Sequence, residues 1–406
     1  MGSRTILAGL AAMALAVAGL AAGPPGASAA PAYDAQQPPG TSIRHVCPTK
    51  VKDGFVTCFA EQLITSDAPS KDGPPAGALT PKQLQDAYSL TGLKSGGRTV
   101  AIVDAYGYPN LERDLGIFRA HFGLSRCTVN NGCLTIMNQR GHTAPADLPP
   151  FQGGWAGEQA LDVDAVSSAC PDCRILVVQA DTSSFGNMTK AVARAAVQTG
   201  VVAISNSYGG RDAKDSTWGR YYHHRGIAVT ASTGDSGFNG PYYPSSSRFV
   251  TAVGGTSLVK DKLTSRGWTE WAWRGAGSGC STYNRKLKAA QGVNTSCRSM
   301  RAASDVSAAA DPNRGGLAWY YPVNENDSQW GQVGGTSEST PIIASVYALS
   351  GNTGGEANAI PYRNRRHLYD VTSGSNGTCD GGQICTAGHG WDGPTGLGTP
   401  NGTGAF

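Results

Sequence analysis

The chain has 406 residues, with 33 basic against 29 acidic side chains, a formal net charge of +4, 40% apolar residues and 55 glycines. That length suits one large domain or two ordinary ones, and the near balance of charge excludes the basic footprint of a nucleic-acid binder. Glycine stands at about twice its usual share of ~7% without a repeat period, which indicates tight turns and close backbone approaches rather than a collagen-like or low-complexity chain.

Residues 1–29 read as an export signal. Arg4 supplies the positive charge, residues 6–22 form an apolar run, Gly23-Pro24-Pro25-Gly26 breaks it, and Ala27-Ser28-Ala29 offers small residues for cleavage. No later segment could cross a membrane, so an exported, extracellular protein without a membrane partner is expected once the signal is removed. Ten cysteines agree with an oxidising compartment. They fall in couples close in sequence: Cys47 and Cys58, Cys127 and Cys133, Cys170 and Cys173, Cys280 and Cys297, Cys379 and Cys385. Nearest-neighbour pairing is the simplest arrangement, although spacing alone does not fix connectivity. Cys170 and Cys173 also have the spacing of a redox or zinc motif, but no second such pair and no partner His lie nearby.

Residues 30–78 form a short N-terminal or pro segment rich in Pro and Gly, with a linker at 70–77. Residues 79–406 read as one domain. Thr80-Pro81 starts a helix running to Tyr88. Apolar runs at 99–105, 174–180, 201–208, 227–231 and 249–253 read as buried strands, and 155–169, 188–198 and 216–224 as helices. Short apolar runs alternating with helices give an α/β fold, a parallel sheet with helices on both faces. A last helix over 336–350 is entered at Thr336-Ser337 and carries Pro341 near its first turn.

Two serines compete as nucleophiles. Gly234-Asp235-Ser236-Gly237 spells the tetrapeptide of chymotrypsin-like proteases, but that chemistry needs a His base and an all-β double barrel. None of the seven His has the expected Ala-His-Cys setting, and Phe238 stands where a second glycine belongs. Ser337 follows two glycines at a helix start, where unpaired N–H groups and the helix dipole favour an oxyanion. The plain alternative is that Thr336 or Ser337 only caps the helix. The strand 100–104 ends in Asp104, as in subtilisin-like enzymes, yet no helix-starting His-Gly comes after it, and His389-Gly390 lies in a Gly-rich loop after the serine. Glu158 and Asp162 come instead, four apart and so on one helix face. Such a pair repels unless it shares a proton. On an exposed helix it would be an ordinary acidic face, but the flanking Trp155, Ala160, Leu161 and Val163 indicate partial burial.

Three motifs, Glu158-Gln-Ala-Leu-Asp162, Thr233-Gly-Asp235-Ser-Gly and Gly335-Thr-Ser337-Glu-Ser-Thr-Pro341, stand in an order that resembles the sedolisin family of serine-carboxyl peptidases. The resemblance covers about residues 78–402. It implies a subtilisin-like fold and an acid-acting enzyme, an endopeptidase rather than an exopeptidase and a monomer. It gives Ser337 as nucleophile, Glu158 as general base, Asp162 as its partner and Asp235 in the oxyanion hole, and leaves Ser236 structural. The substrate implied is an extended polypeptide beside strand 201–209, where Ser205-Asn206-Ser207-Tyr208-Gly209 resembles the family's substrate-lining strand. It also implies one structural Ca²⁺ held by the Asp370 and Asp392 side chains and the carbonyls of Val371, Gly388 and Gly390. From the residues alone that region is a Gly-rich loop with surface aspartates, whose oxygen donors suit Ca²⁺.

Many members of the family carry a long folded prodomain, and residues 30–78 are too short for one. Either the Cys47–Cys58 piece does the inhibitory work, or latency is absent or arises otherwise. Two rival readings remain: an inactive, secreted calcium-binding scaffold that recognises peptides or surfaces, and a subtilisin-type enzyme using Asp104 with an unrecognised His, active at neutral to alkaline pH.

Overall fold

The computed structural model describes residues 1–2, 40–66, 70–352, 354–380 and 382–406. Apart from its first two residues, the expected export signal lies outside the described residues. The chain opens with three short strands, β1 (Ser42–His45), β2 (Thr57–Cys58) and β3 (Glu61–Ile64). Thr80 then starts α1 (Pro81–Ala87) through a capping box: its hydroxyl accepts from Gln83 N while Gln83 Oε1 accepts from Thr80 N.

The main layer continues as β4 (Thr99–Ala105), α2 (Leu111–His121), β5 (Leu134–Asn138), α3 (Gly153–Ala169), β6 (Arg174–Ala180), α4 (Phe185–Ala196), β7 (Val201–Asn206), β8 (Tyr208–Arg211), α5 (Asp215–Trp218), β9 (Ala228–Ser232), β10 (Tyr242–Tyr243), β11 (Thr251–Lys260) and β12 (Trp268–Ala272). A hairpin, β13 (Gly279–Arg285) and β14 (Met300–Ala303), precedes β15 (Val306–Ala309), β16 (Leu317–Pro322), β17 (Ser328–Gly334), α6 (Thr336–Ser350) and α7 (Ile360–Asn364). A last pair, β18 (Leu368–Tyr369) and β19 (Thr399–Pro400), closes the chain.

The central sheet runs β12-β11-β9-β7-β4-β6-β5, with β15 also on β11, and every pair but β11–β12 is parallel. Side chains alternate across it. Val100, Ile102, Ile175 and Val177 pack with Ala160, Leu161 and Ile343 of α3 and α6, while Ala101, Val103, Leu176 and Val178 pack with Met188, Ala191 and Val192 of α4. Burial on both faces explains why these strands read as unbroken apolar runs. Helices α3 and α6 pack against each other and are buried almost throughout. All ten cysteines pair with their nearest neighbours in sequence, 47–58, 127–133, 170–173, 280–297 and 379–385. Among the described residues no helix is long and apolar enough to cross a membrane.

Three elements differ from expectation. The strand expected over 249–253 starts at Thr251 and runs on to Lys260 as β11. The strand expected over 201–208 breaks at Ser207, so β8 leaves the central sheet and lies between β10 and β2. The helix expected over 216–224 shrinks to α5 and a 3₁₀ turn, Gly219–Tyr221. Its Thr, Trp and Tyr residues are weak helix formers, and Gly219 is pinned against the Phe249 ring. The N-terminal segment also packs closely: β1, β3, β17 and β16 form one antiparallel sheet.

Candidate active site

Ligand sites of open parallel sheets lie outside the carboxyl ends of the strands. Here β4 carries Asp104 one residue before its end, β7 runs out into Ser207, and β9 leads through Thr233-Gly234 to Asp235. β17 delivers Gly335 and the start of α6 to the same place. Gly335 has φ +97°, and a Cβ there would lie 1.9 Å from Phe59 O and 2.5 Å from Asp235 Oδ2. Only glycine lets the chain turn so close to both.

Ser337 is the second residue of α6 and is buried. Its Oγ donates to Ser207 O at 3.1 Å and accepts from Phe59 N at 3.0 Å. Its own N–H belongs to the first helical turn, where no intrahelical acceptor exists. Pro341 lacks the N–H that would bond the Ser337 carbonyl. That carbonyl lies 3.3 Å from Ser207 Oγ, which is nearer, at 2.8 Å, to Asp162 Oδ1.

Glu158 and Asp162 stand one turn apart on α3, fully buried, with Asp104 beside them. Both oxygens of Glu158, both of Asp104 and Oδ2 of Asp162 have no hydrogen-bond partner among the described residues. Burial pushes Glu158 well above the usual carboxylate range, and Asp162, Asp104 and Asp235 push it further; the Ser337 hydroxyl is near enough to pull it partly back, although it is turned to Ser207. Burial and then Asp104 raise Asp162, against the Ser207 hydroxyl. Burial raises Asp104 to about 8. A cluster of this kind holds protons rather than charge.

Asp235 is half-buried as a residue, but its carboxyl is enclosed. Burial raises it to about 7, against bonds to Oδ1 from Thr336 N and Oγ1, both at 2.8 Å. Oδ2 has no partner among the described residues, so it is the atom left to carry a proton. Ser236 is exposed. A cleft of about 640 Å³ opens here, lined by Glu61, Asp235, Gly237, Trp273, Arg274 and Asp311. Burial first, then Asp235 and Asp311, lift Glu61 to about 9, and His45 Nδ1 lies 3.2 Å from it.

The fold therefore brings Glu158, Asp162, Asp235 and Ser337 to one point. Sequence reasoning missed three partners. Asp104 entered only through a rival scheme, although a carboxylate at a strand's carboxyl end was a visible signal. Ser207 entered only as part of a strand. Nothing in the local pattern announced that Thr57, Cys58 and Phe59 lie over the nucleophile, where β2 pairs antiparallel with β8 (Thr57 opposite Gly209, Cys58 opposite Tyr208).

The expected calcium ligands also share one region, beside β18 and β19. Asp392 is buried; its Oδ1 accepts from Thr395 N at 2.9 Å and Thr395 Oγ1 at 2.8 Å, and its Oδ2 from Gly388 N at 3.2 Å. Burial lifts it to about 8, against those donors, and Asp370 adds to the rise. Asp370 is exposed and accepts from Gly390 N at 3.0 Å. Val371 is buried next to it. Among the described residues no three His, Cys, Asp or Glu side chains are arranged to hold a metal. An ion here would use two carboxylates and backbone carbonyls, an all-oxygen set that fits a hard cation.

Comparison with known proteins gives the family and the fold. Residues 152–368 match the sequence model of the subtilase family. Kumamolisin of Bacillus sp. (strain MN-32) is 28% identical over 362 residues, which cover 80% of this chain and 62% of that protein. Sedolisin of Pseudomonas sp. (strain 101) is 28% identical over 348 residues, 74% of this chain and 56% of that one. Human tripeptidyl-peptidase 1 is 30% identical over 206 residues, 44% of this chain and 36% of its own length. The chain thus spans under two thirds of the length of these relatives. In structure, Pseudomonas sedolisin complexed with two molecules of pseudo-iodotyrostatin superposes with a TM-score of 0.66 at 24% identity, covering 80% of this chain and 96% of that one, so the fold is shared. The chain belongs to the subtilase family, in its sedolisin branch.

Proposed function

We propose that the chain is a secreted serine-carboxyl peptidase that hydrolyses polypeptides in acid. One observation carries the reading: Ser337 sits among Glu158, Asp162 and Asp235, and the charged groups that act on Glu158 are all acids. Ser337 Oγ attacks the peptide carbonyl carbon, and Glu158 takes its proton. Asp162 shares a proton with Glu158 and is itself steadied by Ser207. The negative oxygen meets the Ser337 N–H and the proton on Asp235 Oδ2. Collapse breaks the C–N bond, Glu158 returns the proton to the leaving amine, and water releases the acyl group.

This chemistry sets the pH dependence. The Glu158–Asp162 pair works while it holds one proton, so activity fails in strong acid, where the pair fills. Asp235 works only protonated and is raised to about 7, so activity falls as pH rises through that value. Activity on the acid side of neutrality is therefore expected. The cleft supports endopeptidase action, because residues 56–64 of this chain cross it with backbone on both sides of Ser337. The similarity to a tripeptidyl-peptidase supports exopeptidase action instead. Five disulfides support an extracellular, oxidising location. One Ca²⁺ at Asp370, Asp392 and the carbonyls of Val371, Gly388 and Gly390 would brace the last loop.

The test is a digest of casein at about pH 4 beside a Ser337→Ala control, monitored across pH. Ser337-dependent fragments and a maximum below neutrality are expected. Internal fragments would mean endopeptidase action, and a ladder of tripeptides exopeptidase action. Activity climbing steadily to alkaline pH would refute the acid-base assignment.

A further inference from the structure

The segment that crosses the nucleophile lies there as a substrate would. β2 runs antiparallel to β8, with Thr57 opposite Gly209 and Cys58 opposite Tyr208. Continuing that register puts Phe59 opposite Ser207, the residue whose carbonyl accepts from Ser337 Oγ. Phe59 N stands 3.0 Å from that Oγ. The Phe59 carbonyl oxygen crowds the same point beside Gly335 as Asp235 Oδ2, the carboxyl atom left free to donate. The peptide group just after the Phe59 side chain is thus the one presented to attack.

The ring itself occupies a built pocket. Its edge meets Tyr242, with centroids 5.0 Å apart and planes at 62°. Glycines form the rest of the wall: a Cβ on Gly209 would come within 2.7 Å of the ring, and one on Gly234 within 3.6 Å. Gly234 takes φ +101°, which keeps that wall bare. The residue is 7% exposed. The Cys47–Cys58 bridge fixes the residue before it, and β3, just beyond, is locked to β17. The segment is therefore held in this pose from both sides.

We infer that the acyl-side specificity pocket of this enzyme takes an aromatic side chain, so its substrates are polypeptides cut after Phe or Tyr, and that Phe59–Ala60 is such a bond held within its own chain. This rests on the peptidase reading above. In the cut, Ser337 Oγ bonds to the Phe59 carbonyl carbon as its proton passes to Glu158. The C–N bond to Ala60 then breaks, with that proton going to the Ala60 amine. Water splits the ester, leaving a carboxyl on Phe59 and Ser337 restored. Until then the segment excludes other chains from the cleft.

The test has two arms, both on the full chain in mild acid with Ser337→Ala as control. The first reads intact mass and the new N-terminus: Ala60 is expected in the wild type and not in the control. The second offers peptides that differ only at the residue before the cut. A preference of about tenfold or more for Phe and Tyr over Ala, Glu and Arg is expected, and Gly209→Ala, which narrows the pocket, should shrink that preference. Ser337-dependent cutting mainly after acidic, basic or small residues in either arm would overturn the pocket assignment and leave the peptidase reading standing. No Ser337-dependent cut in either arm would overturn both.

Discussion

Two groups of buried acids in this molecule are treated in opposite ways. Asp305, after the β14 strand, meets Arg301 through two bonds, at 2.7 and 2.5 Å, and also accepts from Tyr362 OH at 2.6 Å and Ala252 N at 2.8 Å. Asp104, Glu158 and Asp162 are equally buried and face one another, and among the described residues their one donor is the Ser207 hydroxyl on Asp162 Oδ1. Where the charge is structural, the fold supplies a guanidinium and fills every lone pair. At the strand ends it withholds the cation, so the carboxyls keep protons that can move. Buried carboxyls left without counter-charge are costly, and such places are where function is found.

The sharpest way to break this contrast is to remove members of the second group and measure activity. Ser337→Ala should lower kcat/KM by about 10⁴ or more, and Glu158→Gln by about 10²–10⁴. Glu158→Gln should melt no lower than the wild type, because it loses no structural contact of the Asp305 kind, whereas Ser337→Ala gives up the hydroxyl's bonds to Ser207 O and Phe59 N and should melt slightly lower while staying folded. A Glu158→Gln enzyme with full activity would end the assignment of the base. The mirror experiment is Arg301→Met, which leaves Asp305 buried without its partner and should cost about 3–5 kcal/mol of stability in a denaturant titration. Its folded fraction should keep the wild-type pH profile. Asp104→Asn, by contrast, should cost little.

The pH dependence of stability sharpens the same point. Burial raises Asp104 to about 8 and Asp235 to about 7, against an ordinary aspartate value of about 3.9. Folded values above the unfolded ones mean that these groups favour the fold fully in acid and lose that contribution as pH rises through 7 to 8. Thermal melts should therefore show a higher Tm at about pH 4 than at about pH 8, and Asp104→Asn should narrow the gap by staying neutral throughout. A Tm that rises with pH would mean the cluster is ionised and solvated. For activity, Asp235→Asn keeps a donor that cannot ionise, so the alkaline limb of the rate profile should move up in pH even if the maximum drops.

The central architecture was legible in the sequence because it obeys local rules. Two-faced burial of β4 and β6 makes them unbroken apolar runs, and the four-residue spacing of Glu158 and Asp162 places both on one face of α3. The motif around Ser337 reads as a helix start for the same reason. The break at Ser207 was not legible, since β8 is drawn away by partners from distant parts of the chain, Thr57–Cys58 and Tyr242–Tyr243. Phe59 was invisible for a related reason. Its pocket is made of Gly209, Gly234 and Tyr242, and no pattern around residue 59 encodes them.

The smallest expected effect concerns a third way of settling buried acid. Asp392 receives three donors and still stands high because burial and Asp370 both press on it. Two facing carboxyls on a Gly-rich loop can be quieted by protons, as at the strand ends, or by a cation, as Arg301 does for Asp305. The proposed Ca²⁺ would be the second. If Ca²⁺ is bound there, a chelator should lower Tm at about pH 7 by a few degrees, consistent with a ligand that binds only the folded chain. The loss should fade in acid, where protons replace the ion. Asp392→Asn should start at the lower Tm and ignore the chelator. A wild-type melt unmoved by chelator at neutral pH would show instead that Thr395 and Gly388 hold this loop without metal, and that its acids belong with the proton-keeping group.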